Sequence, residues 1–418
     1  MTPEIKRRMA QIRRGEVPEG YKNTPVGVIP SNWKIQTLGM SCLIADGMHQ
    51  TPQYTSQGIP FVSVENIGRI DRTNKFISRD AFDKFKIKPR ENDILMTRIT
   101  AGIIGETEII RASTPLAYYV SLALIRIIAP EEIDVMFLNH FINCHIFKKE
   151  LYKRIIHTAF PKKINLNEIG ECVTVIPPLG EQQKVASILT TQDKVIELKE
   201  MRLAEKQRQK KYLMQVLLTG KKRLPGFCRE WKTDRLGKLF FERKETNCEN
   251  LEMLAITGTQ GIIPRKELDL KDNSSEDKSK YLRVCVGDIG YNTMRMWQGV
   301  SAYSNYEGIV SPAYTILKPS SSINAKYFAY LFKMPEIVFL FYRFSQGLVD
   351  DTRNLKYENF KKIRVCYPPD MKEQTAIAEA LSTADHEIDL LQQDIEQEKQ
   401  KKKALMQLLL TGIVRVKI

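Results

Sequence analysis

The chain carries an internal repeat. Residues 181–220 (EQQKVASILTTQDKVIELKEMRLAEKQRQKKYLMQVLLTG) align without a gap onto residues 373–412 (EQTAIAEALSTADHEIDLLQQDIEQEKQKKKALMQLLLTG), with 17 of 40 positions identical. Weaker markers extend the match upstream: Trp33 with Trp231, Asp93-Ile94 with Asp288-Ile289, Val120-Ser121 with Val310-Ser311, and Pro177-Pro178 with Pro368-Pro369. A repeat of this length dictates two structural units of one design. Between the markers the two copies hardly agree, so the order is variable segment, similar segment, variable segment, similar segment.

The similar segments predict helices. Each follows a Pro-Pro pair, runs free of Gly and Pro for most of its length, and stops at a Gly suited to a helix end. At about 1.5 Å per residue, each would be roughly 58 Å long, more than the width of a small domain. In the second, Ile377, Leu381, Ala384, Ile388, Leu391, Ile395, Leu405 and Leu409 follow coiled-coil steps, with Glu398 and Lys402 in two seam places. The first matches at Val185, Leu189, Ile196, Leu203, Leu213 and Leu217, but Gln192, Lys199, Lys206 and Lys210 take the intervening places, which predicts a weaker seam. The alternative is that each helix packs only on its own domain.

The variable segments hold short β-branched and aromatic runs such as GIPFVSV, ALIRIIA, PAYTIL and KIRVCY, with short helical stretches late in each. They predict an α+β fold built on a small mixed sheet flanked by helices. The boundaries expected are an N-terminal arm (1–30), a first variable domain (31–176), a first long helix (177–220), a linker (221–230), a second variable domain (231–367), and a second long helix with a tail (368–418).

Charge points to a polyanion. Of the net charge of +15, +14 lies in residues 1–176 and 221–367, and the helical segments are nearly balanced. Solubility alone also accounts for scattered lysines. The seven cysteines never form C-x-x-C, which fits a reducing cytoplasm, and no apolar stretch suits a signal peptide or a membrane span.

Catalytic signatures are missing. No two glycines are spaced as G-x-G, there is no Walker loop, and neither Pro-Pro pair has the residues with which amino-methyltransferases hold a target amine. The one Pro-Asp dipeptide lacks the acid-x-Lys triplet of metal-dependent nucleases. His140, Cys144 and His145 form a partial metal-like cluster without a fourth ligand, and ordinary packing is the preferred reading. The expectation is binding without chemistry, with no metal in this chain.

Several strings carry a resemblance: GYKNTPVGVIPSNWKIQTLG, IPPLGEQQKVASIL, DGMHQTPQYTSQGIPFV, GDIGYNTMRMWQGVSAYSNYEGIVSPAY and the two LLTG helix ends. With the repeat, they make the chain similar to the specificity subunits of type I restriction–modification systems over nearly its whole length. The resemblance implies two target-recognition domains of similar α+β fold, separated by the two long helices as an antiparallel coiled coil with a pseudo-two-fold internal repeat. A stiff spacer of that kind would set two reading domains about one helical turn, roughly 34 Å, apart on one duplex. It further implies a non-catalytic, cytoplasmic subunit that reads an asymmetric bipartite site on double-stranded DNA. Two modification subunits would join it, bringing S-adenosylmethionine chemistry, with up to two restriction subunits bringing ATP- and Mg-dependent translocation and cleavage. A methylation-only or type IIB-like system is an alternative, as are a coiled-coil scaffold that binds DNA without sequence preference and an enzyme whose motifs have diverged.

Reading bases requires forked or paired hydrogen bonds, while lysines mainly hold phosphate. The candidates are His49, Gln50, Tyr54, Arg98, Lys162 and Lys163 in the first domain, with Gly102 and Gly105 allowing close backbone approach. Asn292, Arg295, Trp297, Gln298, Gln346 and Arg353 are those of the second. For each, packing or capping is the competing role.

Overall fold

The structure, a computed structural model, describes residues 2–111, 114–258, 261–268 and 277–417. The chain divides into a terminal unit, Met1–Lys199 with Asp394–Ile418, and a central unit, Glu200–Gln393.

In the terminal unit, β1 (Cys42–Asp46), β2 (Ile94–Thr97), β3 (Thr107–Ile109) and β4 (Leu122–Ile127) form an antiparallel sheet in the order β3-β2-β4-β1. Strand β4 is central, and both its faces are covered. Ala123 and Ile125 enter a core with Phe137, Phe141 and Phe147 of helices α1 (Val135–Ile142) and α2 (His145–Arg154). Leu122 and Leu124 enter another with Phe61, Val62 and Tyr118, from a second small sheet. Coverage on both faces explains why LALI reads as an unbroken apolar run. The expected mixture of strand directions is found in that second sheet, where Ala117–Tyr118 runs parallel to Ile59–Val62.

After helix α3 (Leu179–Leu217), the central unit repeats the plan. Strands β5 (Phe240–Arg243), β6 (Ile289–Asn292), β7 (Ser301–Tyr303) and β8 (Tyr314–Pro319) are antiparallel in the order β5-β8-β6-β7. Helices α4 (Ala325–Leu331) and α5 (Pro335–Phe344) follow, then α6 (Met371–Leu409). Matching details fill matching places. Asp134 and Asn324 cap α1 and α4, accepting from Phe137 N at 2.8 Å and Tyr327 N at 3.1 Å. Buried Asp93 and Asp288, one residue before β2 and β6, accept from Arg126 and Arg243, both with Nε–Oδ distances under 3 Å (2.8 and 2.7 Å). The first arginine lies on β4 and the second on β5, so the carboxylate keeps its place while its partner changes strand.

Helices α3 and α6 pair antiparallel within each unit. In the terminal unit Gln192 donates to Glu398 at 2.7 Å, Lys199 bridges Asp394 (2.8 Å) and Glu398 (2.9 Å), and Lys402 meets Asp193 at 2.5 Å. In the central unit Lys206 meets Glu387 at 2.5 Å, and Lys210 meets Asp385. The polar seam places thus find partners across the pair, and the predicted weakness becomes a row of ion pairs that fixes direction and register. Val185, Leu189, Ile196, Leu217, Ile377, Leu381, Ile388, Ile395 and Leu409 are buried, and Leu203, Leu213, Leu391 and Leu405 are half-buried. Val185, Leu189 and Leu409 join the core of the terminal unit, and Leu217, Ile377 and Leu381 that of the central unit. Both packing modes expected of the helices therefore occur, domain packing at the ends and coiled coil between.

Each helix ends at a left-handed glycine against a tryptophan. A side chain at Gly220 would press on Trp231 at 3.3 Å, and one at Gly412 on Trp33 at 3.0 Å. Beside these contacts Arg415 grips Glu181 and Arg223 grips Glu373, each through two bonds, with both carboxylates buried.

Candidate nucleic-acid interface

The hairpin connections after β2 (residues 98–106) and after β6 (residues 293–300) occupy equivalent places in the two units. Each bends at a glycine with positive φ, +89° at Gly105 and +80° at Gly299. Each glycine carbonyl accepts from a lysine supplied by the helical segment below, Lys148 for Gly105 and Lys333 for Gly299 (2.8 Å). Lys333 also reaches Ser301 O at 2.6 Å. Burial pushes each amine down to about 8. The two hairpins share one anchoring device although their sequences differ.

Gly105 therefore needs a correction. It is buried, and a side chain there would strike Leu151 at 2.6 Å, so its glycine serves helix packing and a left-handed turn rather than close approach to a ligand. Gly102 is exposed in the same loop, its N–H donating to Thr100 Oγ1 at 3.0 Å.

A second loop lies beside each hairpin. Residues 156–163 are closed by a bridge between Ile156 and Lys163, and residues 346–354 by one between Gln346 and Asn354. The loops join their hairpins through Ile164 N to Arg98 O at 3.0 Å and Leu355 N to Thr293 O at 2.9 Å. Lys162 and Lys163, both exposed, pair with Thr100 and Ile99. In this way the fold gathers Arg98, Gly102, Lys162 and Lys163 in one unit, and Asn292, Arg295, Trp297, Gln298, Gln346 and Arg353 in the other.

Their side chains play different parts. Arg98 is buried, with Nη2 3.6 Å from Asp46 Oδ2, and its Nε and Nη1 have no hydrogen-bond partner among the described residues. Burial lowers its pKa, and Asp46 opposes that shift. The same carboxylate lies 3.0 Å from Nε2 of exposed His49, which ties His49 to Arg98. Gln50 is exposed nearby in sequence. Tyr54 packs on Phe61, with ring centroids 5.8 Å apart, and leaves 44% of its surface open. In the central unit Asn292 Oδ1 accepts from Met294 N at 2.9 Å, shaping the turn that presents Arg295 and Gln298, both exposed. Trp297 is half-buried, its indole N–H donating to Met294 O at 3.0 Å and its ring meeting Tyr342 edge-on. The Arg353 guanidinium covers the other aromatic partner, 4.2 Å from the Tyr342 centroid, and binds Asp350 at 3.2 Å. Gln346 is exposed.

Sequence reasoning missed Asp46, Lys148, Lys333 and Tyr342, which hold the exposed groups in place. Asp46 and Tyr342 lie within a dozen residues of His49 and Arg353, but Lys148 and Lys333 lie more than thirty residues from the glycines they hold, and no sequence signal marks them. His140 points elsewhere: its Nε2 is 3.2 Å from Thr190 Oγ1 on α3, and burial lowers its pKa to about 4. Among the described residues no three His, Cys, Asp or Glu side chains are grouped to hold a metal ion, and no helix is long and apolar enough to cross a membrane.

The family model described as the type I restriction modification DNA specificity domain matches residues 30–208 and 229–400. A putative type I restriction enzyme MjaX specificity subunit from Methanocaldococcus jannaschii is 25% identical, over 96% of this chain and 97% of its own. The MjaVIII specificity subunit of the same organism is 26% identical over 49% of this chain and 50% of its own. Among solved structures, the type I restriction–modification S subunit from M. genitalium superimposes with a TM-score of 0.57 at 15% identity, covering 90% of this chain and 96% of that one. That likeness concerns the fold.

Proposed function

Because the chain belongs to the type I restriction–modification DNA specificity family, with a family domain in each half, we propose that it is the DNA-reading, non-catalytic subunit of such a system. It reads one half-site of double-stranded DNA with each unit. One observation carries this: two hairpins on the same lysine-anchored frame present unlike side chains, Arg98 to Gly102 in one and Thr293 to Gln298 in the other. Like frames with unlike side chains suit two half-sites of different sequence, so the target is bipartite and asymmetric. Lys162 and Lys163 hold phosphate, Arg295 and Gln298 read base edges, and His49, Gln50, Tyr54, Asn292, Gln346 and Arg353 line or shape the two surfaces. Arg98 sets loop shape from a buried position and Trp297 from a half-buried one.

The chemistry belongs to partners. Two modification subunits supply the S-adenosylmethionine-dependent methylation, and up to two restriction subunits supply ATP- and Mg-dependent steps. Sites of methylated adenine, mapped across the genome of a host expressing this chain with its modification partner, should share one asymmetric motif in two parts. A palindromic motif, or methylation without a motif, overturns the reading. The scaffold alternative makes a different forecast, equal competition by random and target DNA at matched salt.

A further inference from the structure

The two most exposed large apolar side chains among the described residues are Leu348, 99% exposed, and Phe160, 89% exposed. They stand at the same place in the two units. Phe160 is in the loop closed by the Ile156–Lys163 bridge, and Leu348 in the loop closed by the Gln346–Asn354 bridge. Both loops are hydrogen-bonded to the hairpins that carry the candidate reading residues. The residue types differ and the surrounding sequences do not align, yet both loops present a bare apolar side chain at that location.

A contact surface for a folded protein would be a contiguous apolar patch. Here the apolar surface is small: Phe160 is followed by the exposed Lys162 and Lys163, and Leu348 stands with Val349 on a loop that also carries Asp350 and its partner Arg353, the latter drawn back onto Tyr342. An apolar wedge of one or two side chains on a polar loop matches the chemistry of a base step, whose flat faces are apolar, and at Phe160 the adjoining lysines match the phosphates that flank it. We propose that Phe160 and Leu348 are wedges that enter the base stack, one in each half-site, and unstack a step there. The unstacked step bends the duplex, so sequences that unstack easily are favoured at positions where no base edge is touched.

This inference rests on the DNA-reading function proposed above. The test uses the full chain with its modification subunit, on the methylation-mapped duplex with 2-aminopurine placed in turn along each half-site. Binding is followed separately by anisotropy. The bound wild type should raise 2-aminopurine fluorescence several-fold at one step in each half. Phe160→Ala should return the signal to the free-duplex level in one half only, Leu348→Ala in the other only, and Phe160→Leu should keep it. Each alanine variant should keep its circular dichroism spectrum and the salt dependence of binding. The wedges are ruled out if the wild type binds its target with no rise in either half, or if the rise survives both alanine substitutions. They are also ruled out if those substitutions instead weaken capture of the modification subunit and leave the DNA signal intact, which would make the loops a protein contact. Equal binding of target and random duplex by the wild type would overturn the function itself, an outcome distinct from specific binding without unstacking.

Discussion

Arg295 is exposed on a turn whose shape is set by Asn292, and under the proposed function it is the arginine of the central unit that would form a forked bond to guanine. Arg295→Ala should weaken binding to the specific site by about 1–3 kcal/mol while leaving random DNA nearly unaffected, measured by competition at fixed salt. Equal loss on both would assign the residue to phosphate. Lys148 makes a different forecast, one about stability. Its native amine is pushed down to about 8 from an ordinary value of 10.5. Below pH 8 both folded and unfolded chains hold the proton, and the burial cost stands in full. Between pH 8 and 10.5 the unfolded chain holds a proton that the native one has lost, so folding gains as pH rises. Relative to Lys148→Met, the wild type should gain on the order of 2 kcal/mol between pH 8 and pH 10 in urea denaturation. A gap that stays flat across that range would mean the amine is not shielded.

At the level of elements, the helix ends matter as much as the seam. Arg415 is the only described side chain that forms an ion pair with Glu181, whose carboxylate is 1% exposed and also accepts from Trp33 Nε1 at 3.0 Å. Arg415→Met should cost about 2 kcal/mol in chemical denaturation, because a buried carboxylate loses its cation, and adding Glu181→Gln should restore part of it. The helices themselves were legible: Pro-Pro before, Gly after, and a heptad pattern between. The partnering of Gln192, Lys199, Lys206 and Lys210 was not, because an ion pair across two helices leaves no mark within either. Trp33, Trp231 and the two terminal glycines did leave one, as repeat markers, since a side chain at either left-handed glycine would press on the indole. The hairpin anchors were invisible for the opposite reason: Lys148 and Lys333 hold loops more than thirty residues away, at places where the two halves do not align. Gly105 was misread because a glycine that packs and a glycine that yields to a ligand look alike in sequence.

For the molecule as a whole, the division into units does not follow chain order. The central unit is one continuous stretch, whereas the terminal unit needs both ends: Arg8 donates to Ile413 O at 2.6 Å, Tyr21 to Gly412 O at 2.7 Å, and Leu409 and Leu410 fill a core begun by Ile29 and Trp33. The duplication and the basic variable segments were readable from composition and self-comparison. This exchange of ends was not, because a repeat reveals likeness and says nothing about which copy of a helix end serves which domain. It reverses the usual order of events on the ribosome. Domains normally mature from the amino end as they emerge, but here residues 1–199 must wait for residues 394–418, while residues 200–393 can finish earlier. Released chains truncated after residue 393 should therefore show a protease-resistant central unit and a cleavable amino-terminal portion, whereas the full chain should resist in both. Any premature stop in the final helix leaves the earliest-made domain permanently unfinished.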